Sequence, residues 1–278
     1  MISMKVSSLI GAVAAAVIAN NAFAVCPAAG SAVGPELYPT ASVLPANLLR
    51  VYVYFPRPMG PDVSASDLEL LGPDGAVIPG AFLPTRFGLW SPDRRRLTVL
   101  LDPGRVKTGL EANDALGRAL ESGKRYTFRV PGTLRDAEDC TLGEDATFAF
   151  TAGPADYEPP APETWQLAIP TAGTRDTLEV DLGGTHDHVS MAYRMRVLTA
   201  TGKRVGGDIR FTRAERIWQF TPSESWSSSP YRIAIDPRLE DLAGNRPGVM
   251  FDRSLDAPVR DWNRELPFTP SSPGDEPD

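Results

Sequence analysis

Two stretches of the chain show the same alternation of apolar and other residues. Tyr231, Ile233 and Ile235 fall on one face of an extended chain, and this period of two predicts a strand with one buried face. Residues 126–130 repeat the pattern 105 positions earlier, and the two stretches align without a gap. A pattern that recurs at a fixed offset is typical of a repeated structural unit. The sequence therefore predicts two related β-domains.

Each of these strands leads into a turn that begins with an aspartate. Asp241 opens the run Asp-Leu-Ala-Gly-Asn, and Asp136 lies at the same offset in the first copy. An aspartate folds its carboxylate onto the following backbone N–H groups, and glycine and asparagine tolerate positive φ. We therefore predict that Tyr126, Tyr231, Asp136 and Asp241 are the equivalent anchors of the repeat, and that both tyrosines are buried.

A second correspondence lies upstream of these strands. Residues 74–80 match residues 201–207, with two glycines five positions apart in each, but at an offset of 127. Both segments follow a strand-like run, so each predicts a hairpin. The first unit therefore holds about 22 extra residues before its tyrosine strand. Residues 102–122 are the candidate for this insertion, and the helix-like spacing of their leucines predicts one short helix there.

These patterns divide the chain into segments. We expect the last strand of each unit at residues 147–151 and around residues 249–251, and Trp218 in the core of the second unit. The Pro-rich run between the units predicts a stiff linker. The expected segments are a signal peptide (1–24), a first domain (32–152), the linker (153–164), a second domain (165–255) and a flexible acidic tail (256–278).

The order of the motifs resembles the bacterial Ig-like domain family of the S-layer (SbsA-like) type. That family has a Phe-Ser-x-Pro-Met opening, an Asp-x-x-Gly hairpin, a Tyr-x-x-x-Val strand and an Asp-x-x-Gly-Asn turn, matched here at residues 55–59, 74–75, 126–130 and 241–245. The turn departs from the pattern at residues 138–140 in the first unit, and the opening departs from it at residues 183–187 in the second. The resemblance covers about residues 48–252 and implies a scaffold used for spacing, display and binding.

The expected fold class is thus all-β: two tandem Ig-like antiparallel β-sandwich domains, with one short helix inserted in the first. The N-terminus indicates where the protein is located, because Lys5, a short apolar run and an Ala-Phe-Ala ending are typical of a secretory signal peptide. A lipoprotein alternative arises from the nearby Cys26, but Val25 does not fit the small residue that lipoprotein processing requires. We therefore expect an exported protein, periplasmic or extracellular.

The net charge and the two cysteines limit which kinds of partner and which covalent links we expect. The net charge of −7 becomes more negative without Lys5, and an acidic chain does not hold a nucleic-acid backbone. The apolar run of the signal peptide is too short to span a bilayer as a permanent helix, and no other apolar run is long enough. We therefore expect no transmembrane segment in the mature chain and an unknown protein or envelope component as partner. In an oxidising compartment Cys26 and Cys140 are expected to form a disulfide, and two free thiols are the alternative.

The sequence offers little for catalysis. It contains only two histidines and no Gly-x-Ser-x-Gly elbow, phosphate-binding loop or His-Glu-x-x-His motif. We therefore expect no enzymatic activity and no cofactor. The turn at residues 240–245 offers oxygens for calcium, but an Asx-type turn closed by its own backbone explains the same residues.

One local cluster points to an alternative function. His186 and His188 precede Met191 and Met195, and imidazoles with thioethers are the ligands that copper prefers. The competing interpretation is a polar loop whose methionines enter the core. We expect a non-enzymatic, envelope-associated scaffold or protein-binding module, with a periplasmic copper or metal-binding protein that uses these histidines as the alternative.

Overall fold

The computed structural model describes residue 26 and residues 34–85, 88–106, 117–252, 261–272 and 274. The expected signal peptide lies outside the described residues. So do residues 107–116 of the expected helix and, in the expected tail, residues 256–260, 273 and 275–278.

The first unit is a sandwich of two four-stranded sheets. Its strands are β1 (Glu36–Tyr38), β2 (Val43–Pro45), β3 (Arg50–Tyr54), β4 (Glu69–Leu71), β5 (Leu89–Trp90), β6 (Arg96–Leu100), β7 (Arg125–Val130) and β8 (Ala146–Gly153). One sheet has the strand order β1-β3-β6-β5 and the other β2-β8-β7-β4. Tyr126, Phe128 and Val130 of β7 are buried, as its alternation predicted. The expected last strand, residues 147–151, lies within β8.

The second unit repeats this arrangement. Its strands are β9 (Gln166–Ala168), β10 (Leu178–Asp181), β11 (Met195–Thr199), β12 (Gly207–Thr212), β13 (Ile217–Pro222), β14 (Tyr231–Ile235) and β15 (Glu265–Phe268). They form a four-stranded sheet, β12-β13-β10-β9, and a three-stranded sheet, β11-β14-β15. Trp218 of β13 is fully buried, as expected.

The last strand of the second unit differs from the prediction. β15 pairs with β14 and buries Leu266 and Phe268, although it comes from the segment that we expected to be a flexible tail. The predicted strand around residues 249–251 is absent, because Val249 and Arg246 exchange backbone hydrogen bonds in a tight turn. Phe251 packs instead against the core of the first unit.

Strand order identifies both units as Ig-like sandwiches. In the strand lettering of the Ig fold, β1-β3-β6-β5 and β9-β10-β13-β12 both correspond to the order A-B-E-D. The strands C, F and G of the other sheet are β4, β7 and β8 in the first unit and β11, β14 and β15 in the second. β2 pairs with β8 in parallel, and a single parallel bridge between Thr171 and Ser271 occupies the same place in the second unit. The described residues thus show an all-β fold in which the two units correspond strand for strand.

Helices are short and few in the described part of the chain. The expected insertion begins with helix α1 (Pro103–Val106). A second helix, α2 (His188–Arg194), was not predicted; Asp187 is its N-cap residue, and the Asp187 carboxylate accepts a hydrogen bond from Ser190 N. The structure also has two 3-10 helices, Ala65–Asp67 and Pro162–Thr164. Within the described ranges, no helix has the length and apolar character needed to cross a membrane.

Each unit has its own hydrophobic core, but the cores are not independent. Leu242 of the second unit is buried within the core of the first, and Ala214 and Phe251 pack against it. The backbones of the two units are hydrogen-bonded at the same place, where Leu49 N donates to Leu242 O at 2.9 Å. The two sandwiches therefore meet in a packed junction.

Candidate functional site at the junction of the two units

The tyrosines that aligned in the sequence occupy equivalent positions at the start of β7 and β14. The hydroxyl of Tyr126 accepts a hydrogen bond from Glu121 N at 2.8 Å, and that of Tyr231 accepts one from Ser227 N at 3.1 Å. A tyrosine hydroxyl that bonds to the backbone a few residues upstream is the tyrosine corner of Ig-like folds. Tyr126 is buried as predicted, whereas Tyr231 is only half-buried, because it lines an open pocket beside Lys203 and Glu224.

The two aspartate turns have the same hydrogen bonds. Asp136 N donates to Cys140 O at 2.9 Å, and Asp241 N donates to Asn245 O at 3.0 Å. In each turn the carboxylate Oδ1 accepts from the backbone N–H groups two and four residues later, at 2.8–3.0 Å. Burial raises the pKa of Asp241 to about 7, against the opposing effect of these donors. Both turns are Asx-type turns closed by their own backbone, which was the alternative to a calcium site at residues 240–245.

Both turns also hold the segment of chain that leads into their unit. Cys140 is bonded to Cys26 in the expected disulfide. Asn245 donates its side-chain Nδ2 to Asp156 O at 3.3 Å. From the first unit, the side chain of Asn47 makes two hydrogen bonds to the backbone of Asp156. It accepts from Asp156 N at 2.8 Å and donates to Asp156 O at 2.7 Å. The Pro-rich linker is therefore bound by both units at this point.

The residues proposed as metal ligands are separated by the packing. Met191 and Met195 are fully buried in the second core, as the competing interpretation expected. His186 is buried, and its Nδ1 lies 3.0 Å from Gly184 O, while burial lowers its pKa. His188 begins α2 instead of sharing a strand face with it. Among the described residues, no group of three or more His, Cys, Asp or Glu side chains is placed to hold a metal ion.

The centre of the junction is a charged cluster around the buried Asp187, which the sequence did not reveal. The Tyr52 hydroxyl donates to Asp187, with its oxygen 2.8 and 2.9 Å from the two carboxylate oxygens. Arg50 lies with its Nε 3.4 Å from Asp187 Oδ2 and forms a second ion pair with Glu240. Arg246 pairs with the other oxygen of Glu240 at 2.6 Å. Two basic and two acidic side chains thus join strand β3 to the second unit.

Electrostatics at this cluster follow from burial and pairing. Burial raises the pKa of Asp187, and the positive charge of Arg50 opposes that effect. Burial and the neighbouring Asp187 both raise the pKa of the Tyr52 hydroxyl, which therefore stays protonated and able to donate. Asp187 also caps α2 through Ser190 N at 2.7 Å. One carboxylate thus fixes both the helix and the position of the first unit.

A second contact between the two units lies at the turn between β12 and β13. Arg213, Ala214 and Glu215 all have positive φ, at 50°, 55° and 58°, a conformation that costs L-residues about 1–2 kcal/mol each. The Glu215 carboxylate accepts from Thr40 N at 2.8 Å and from Thr40 Oγ1 at 2.9 Å. These hydrogen bonds and the packing of Ala214 on the first core hold the strained turn in place.

His188 lies in an aromatic enclosure between the units. Its ring centroid is 3.9 Å from that of Tyr38 and 4.8 Å from that of Phe211, with Tyr54 at 5.8 Å. Burial, and secondarily the positive charge of Arg96, lowers its pKa to about 4. The ring is therefore neutral at physiological pH and acts as a packing residue of the junction.

One feature of the sequence could have indicated the junction. Strand β3 buries Val51 and Val53 in the first core, but Tyr52 on its opposite face is also buried. Tyr52 and Tyr54 lie on the face of β3 that points away from the first core, and a buried tyrosine on such a face indicates that something covers it. What covers β3 is the second unit, whose Asp187 is 135 residues away in the chain.

Comparisons with known proteins do not assign this chain to a family. No family model matches it, and no curated protein matches it. Among solved structures it is similar to native alpha-2-macroglobulin from Escherichia coli, domains MG0-NIE-MG1, at 11% identity and a TM-score of 0.27, covering 87% of this chain and 72% of that one.

Two further similarities are of the same kind. Surface layer protein SbsC, domains 1–6, matches at 16% identity and a TM-score of 0.28, covering 73% of this chain and 24% of that one. The N-terminal Ig1-2 module of the Drosophila receptor protein tyrosine phosphatase DLAR matches at 10% identity and a TM-score of 0.24, covering 74% and 93%. Superpositions at these TM-scores are too loose to bear on function, and the Ig-like assignment stands on strand order.

Proposed function

We propose that this chain is an exported, non-enzymatic protein of two Ig-like domains that acts as an envelope-associated scaffold or protein-binding module, as in the S-layer-type family that its motifs resemble. The observation that carries the proposal is the junction itself. Arg50, Asp187, Glu240 and Glu215 all bond across it. Charged side chains used in this way hold two units together and present their outer surfaces in a fixed relation.

The disulfide supports the proposed location. A bond between Cys26 and Cys140 persists in oxidising compartments and is rare in the cytosol. Its position, just after the expected signal peptide, fixes the start of the mature chain to the first domain. We therefore propose that the protein functions in the periplasm or outside the cell.

Fractionation of cells that express the tagged chain tests the location. The protein is expected in the periplasmic or external fraction, lacking its first 24 residues, with no free thiol after unfolding without reductant. Recovery from the cytoplasm with two free thiols would contradict export. A matched Cys26→Ser, Cys140→Ser variant separates the role of the disulfide from that of the signal peptide.

Crosslinking on intact cells tests the binding role. A reproducible protein partner is expected for the natural chain. Junction variants such as Arg50→Ala are expected to reduce its recovery if the partner contacts both units. Metal analysis of the purified protein tests the alternative: one metal ion per chain, lost in a His186→Ala, His188→Ala variant, would favour the metal-binding function over the scaffold.

A further inference from the structure

Strand β12 is the longest uncovered sheet edge in the described part of the chain. It has six residues and lies at the end of its sheet. Its counterpart in the first unit, β5, has only two residues. An uncovered edge presents unpaired N–H and C=O groups that another strand can pair with, and proteins usually blunt such edges.

The other outer strands of the two units are short or protected. Residues 203–205 cover β11, since Val205 N donates to Val197 O at 2.9 Å, and residues 76–78 cover β4, since Ile78 N donates to Leu70 O at 2.8 Å. β15 contains Pro267, which has no N–H to donate. The strands β1, β2 and β9 have three residues each. Among the edge strands of the described residues, β12 alone combines a length of six residues with neither a covering segment nor a proline.

The hydrogen-bond pattern shows which residues face outward. Ser223 N donates to Gly206 O at 2.9 Å, so that pair is hydrogen-bonded within the hairpin. Bonded pairs alternate along an antiparallel ladder, and Gly207 lies opposite Pro222, which has no N–H. Gly207, Ile209 and Phe211 therefore direct their backbone groups to the open side.

The side chains between these positions carry opposite, unpaired charges. Asp208 and Arg210 are exposed on the same face of β12. Within the residues that the structure describes, neither makes an ion pair or a hydrogen bond through its side chain. Two opposite charges placed two residues apart allow a strand to pair with a copy of itself.

We propose that two copies of this chain associate through β12, antiparallel about a two-fold axis at Ile209. In this register Ile209 lies opposite its own copy and Gly207 lies opposite Phe211 of the second copy, so every outward backbone group meets another. Asp208 then lies opposite Arg210 of the second copy, and the symmetry repeats this pair. The two four-stranded sheets become one continuous sheet.

The neighbouring registers that keep outward groups paired are unfavourable. An axis at Asp208 places two carboxylates directly opposite each other, and an axis at Arg210 does the same with two guanidinium groups. Opposite charges across a strand pair stabilise it, and like charges destabilise it. Charge therefore selects the register centred on Ile209. This inference goes beyond the proposed function, because self-association does not depend on what else the protein binds.

Sedimentation equilibrium of the full chain over a wide concentration range tests the dimer. The natural protein is expected to show a reversible monomer–dimer equilibrium that weakens as salt rises to about 0.5 M, because salt screens exposed charges. Asp208→Arg and Arg210→Asp should each raise the dissociation constant about ten-fold or more, since each puts like charges opposite one another at both ends of the pairing. The double variant with both changes should restore association.

Mixing the two single variants gives the most specific test of the register. The Asp208→Arg and Arg210→Asp chains should be monomeric alone and form a heterodimer together, because every cross-strand pair is then opposite in charge. Arg196→Asp, an exposed reversal on the other sheet, serves as the matched control and should dimerise like the natural chain. A natural chain that is monomeric at all concentrations, or single variants that dimerise normally, would overturn the proposal.

Discussion

Replacing Tyr52 with phenylalanine tests the junction most directly. The change removes only the hydroxyl that donates to the Asp187 carboxylate, whose side chain is 1% exposed. A hydrogen bond to a charged group contributes about 1.5–3 kcal/mol when one partner is removed and the other stays buried. Asp187 keeps Ser190 N and Arg50 as partners, so we expect a loss of unfolding free energy within that range.

The structure supplies a matched control in the paired strand. Tyr38 lies directly opposite Tyr52 in the β1–β3 register, and its hydroxyl donates to the exposed carboxylate of Glu36 at 3.0 Å. Tyr38→Phe makes the same chemical change at an exposed hydrogen bond, so it should alter stability by less than about 0.5 kcal/mol. Urea unfolding of the full chain, followed by circular dichroism, measures both variants.

The effect should also depend on pH in a defined direction. The Tyr52 hydroxyl favours the ionised form of Asp187, whose pKa burial raises. Loss of this hydrogen bond raises the pKa of Asp187 further in the variant, so the destabilisation is fully present above the variant's pKa and shrinks as the pH falls from that value to the pKa in the natural chain. If Tyr52→Phe costs no more than Tyr38→Phe at neutral pH, the buried hydrogen bond between Tyr52 and Asp187 does not help to hold the two units together.

Three further predictions follow from the repeat, the histidine and the disulfide. Tyr126→Ala removes a buried ring and should cost about 3–5 kcal/mol in unfolding free energy, while Tyr231→Ala should cost less because Tyr231 is half-buried; equal losses in urea unfolding would contradict the difference in burial. His188, with its pKa lowered to about 4, is protonated first in the unfolded chain, so stability should fall from about pH 6.5 to about pH 4. His188→Phe should remove that component, and an NMR titration of His188 near pH 6.5 would show the assignment to be wrong. Reduction of the disulfide, which joins residues 114 positions apart, should lower stability by about 4–5 kcal/mol, and an unchanged melting temperature after reduction would count against a structural role.

The parts of the fold that the sequence predicted are those determined by neighbouring residues. The alternation around Tyr126 and Tyr231 and the carboxylates of Asp136 and Asp241 act over a few positions, so their pattern is visible in one strand and one turn. β15 was missed for the opposite reason. It is four residues long and contains Pro267, so its composition resembles a loop, and only its partner β14 makes it a strand.

The junction could not be predicted in the same way. Its contacts join residues far apart in the chain, 190 positions in the case of Arg50 and Glu240, and no local pattern records which surfaces meet. Helix α2 was missed because Asp187 caps it without the glutamate or glutamine that completes a capping box. The two histidines suggested metal ligands, whereas three-dimensional packing gave one a backbone contact and the other an aromatic enclosure.

The two aspartate turns have a consequence for how such chains grow. Cys26 lies ten residues before the first residue of β1, and Asp156 lies ten residues before the first residue of β9. Cys140 holds the former and Asn245, at the equivalent position of its turn, holds the latter. Each unit thus holds the segment that leads into it, by a disulfide in the first unit and by a side-chain hydrogen bond in the second. Duplication of the second unit would therefore lengthen the chain with the same connection, because an asparagine at the position of Asn245 is sufficient to hold the next incoming segment.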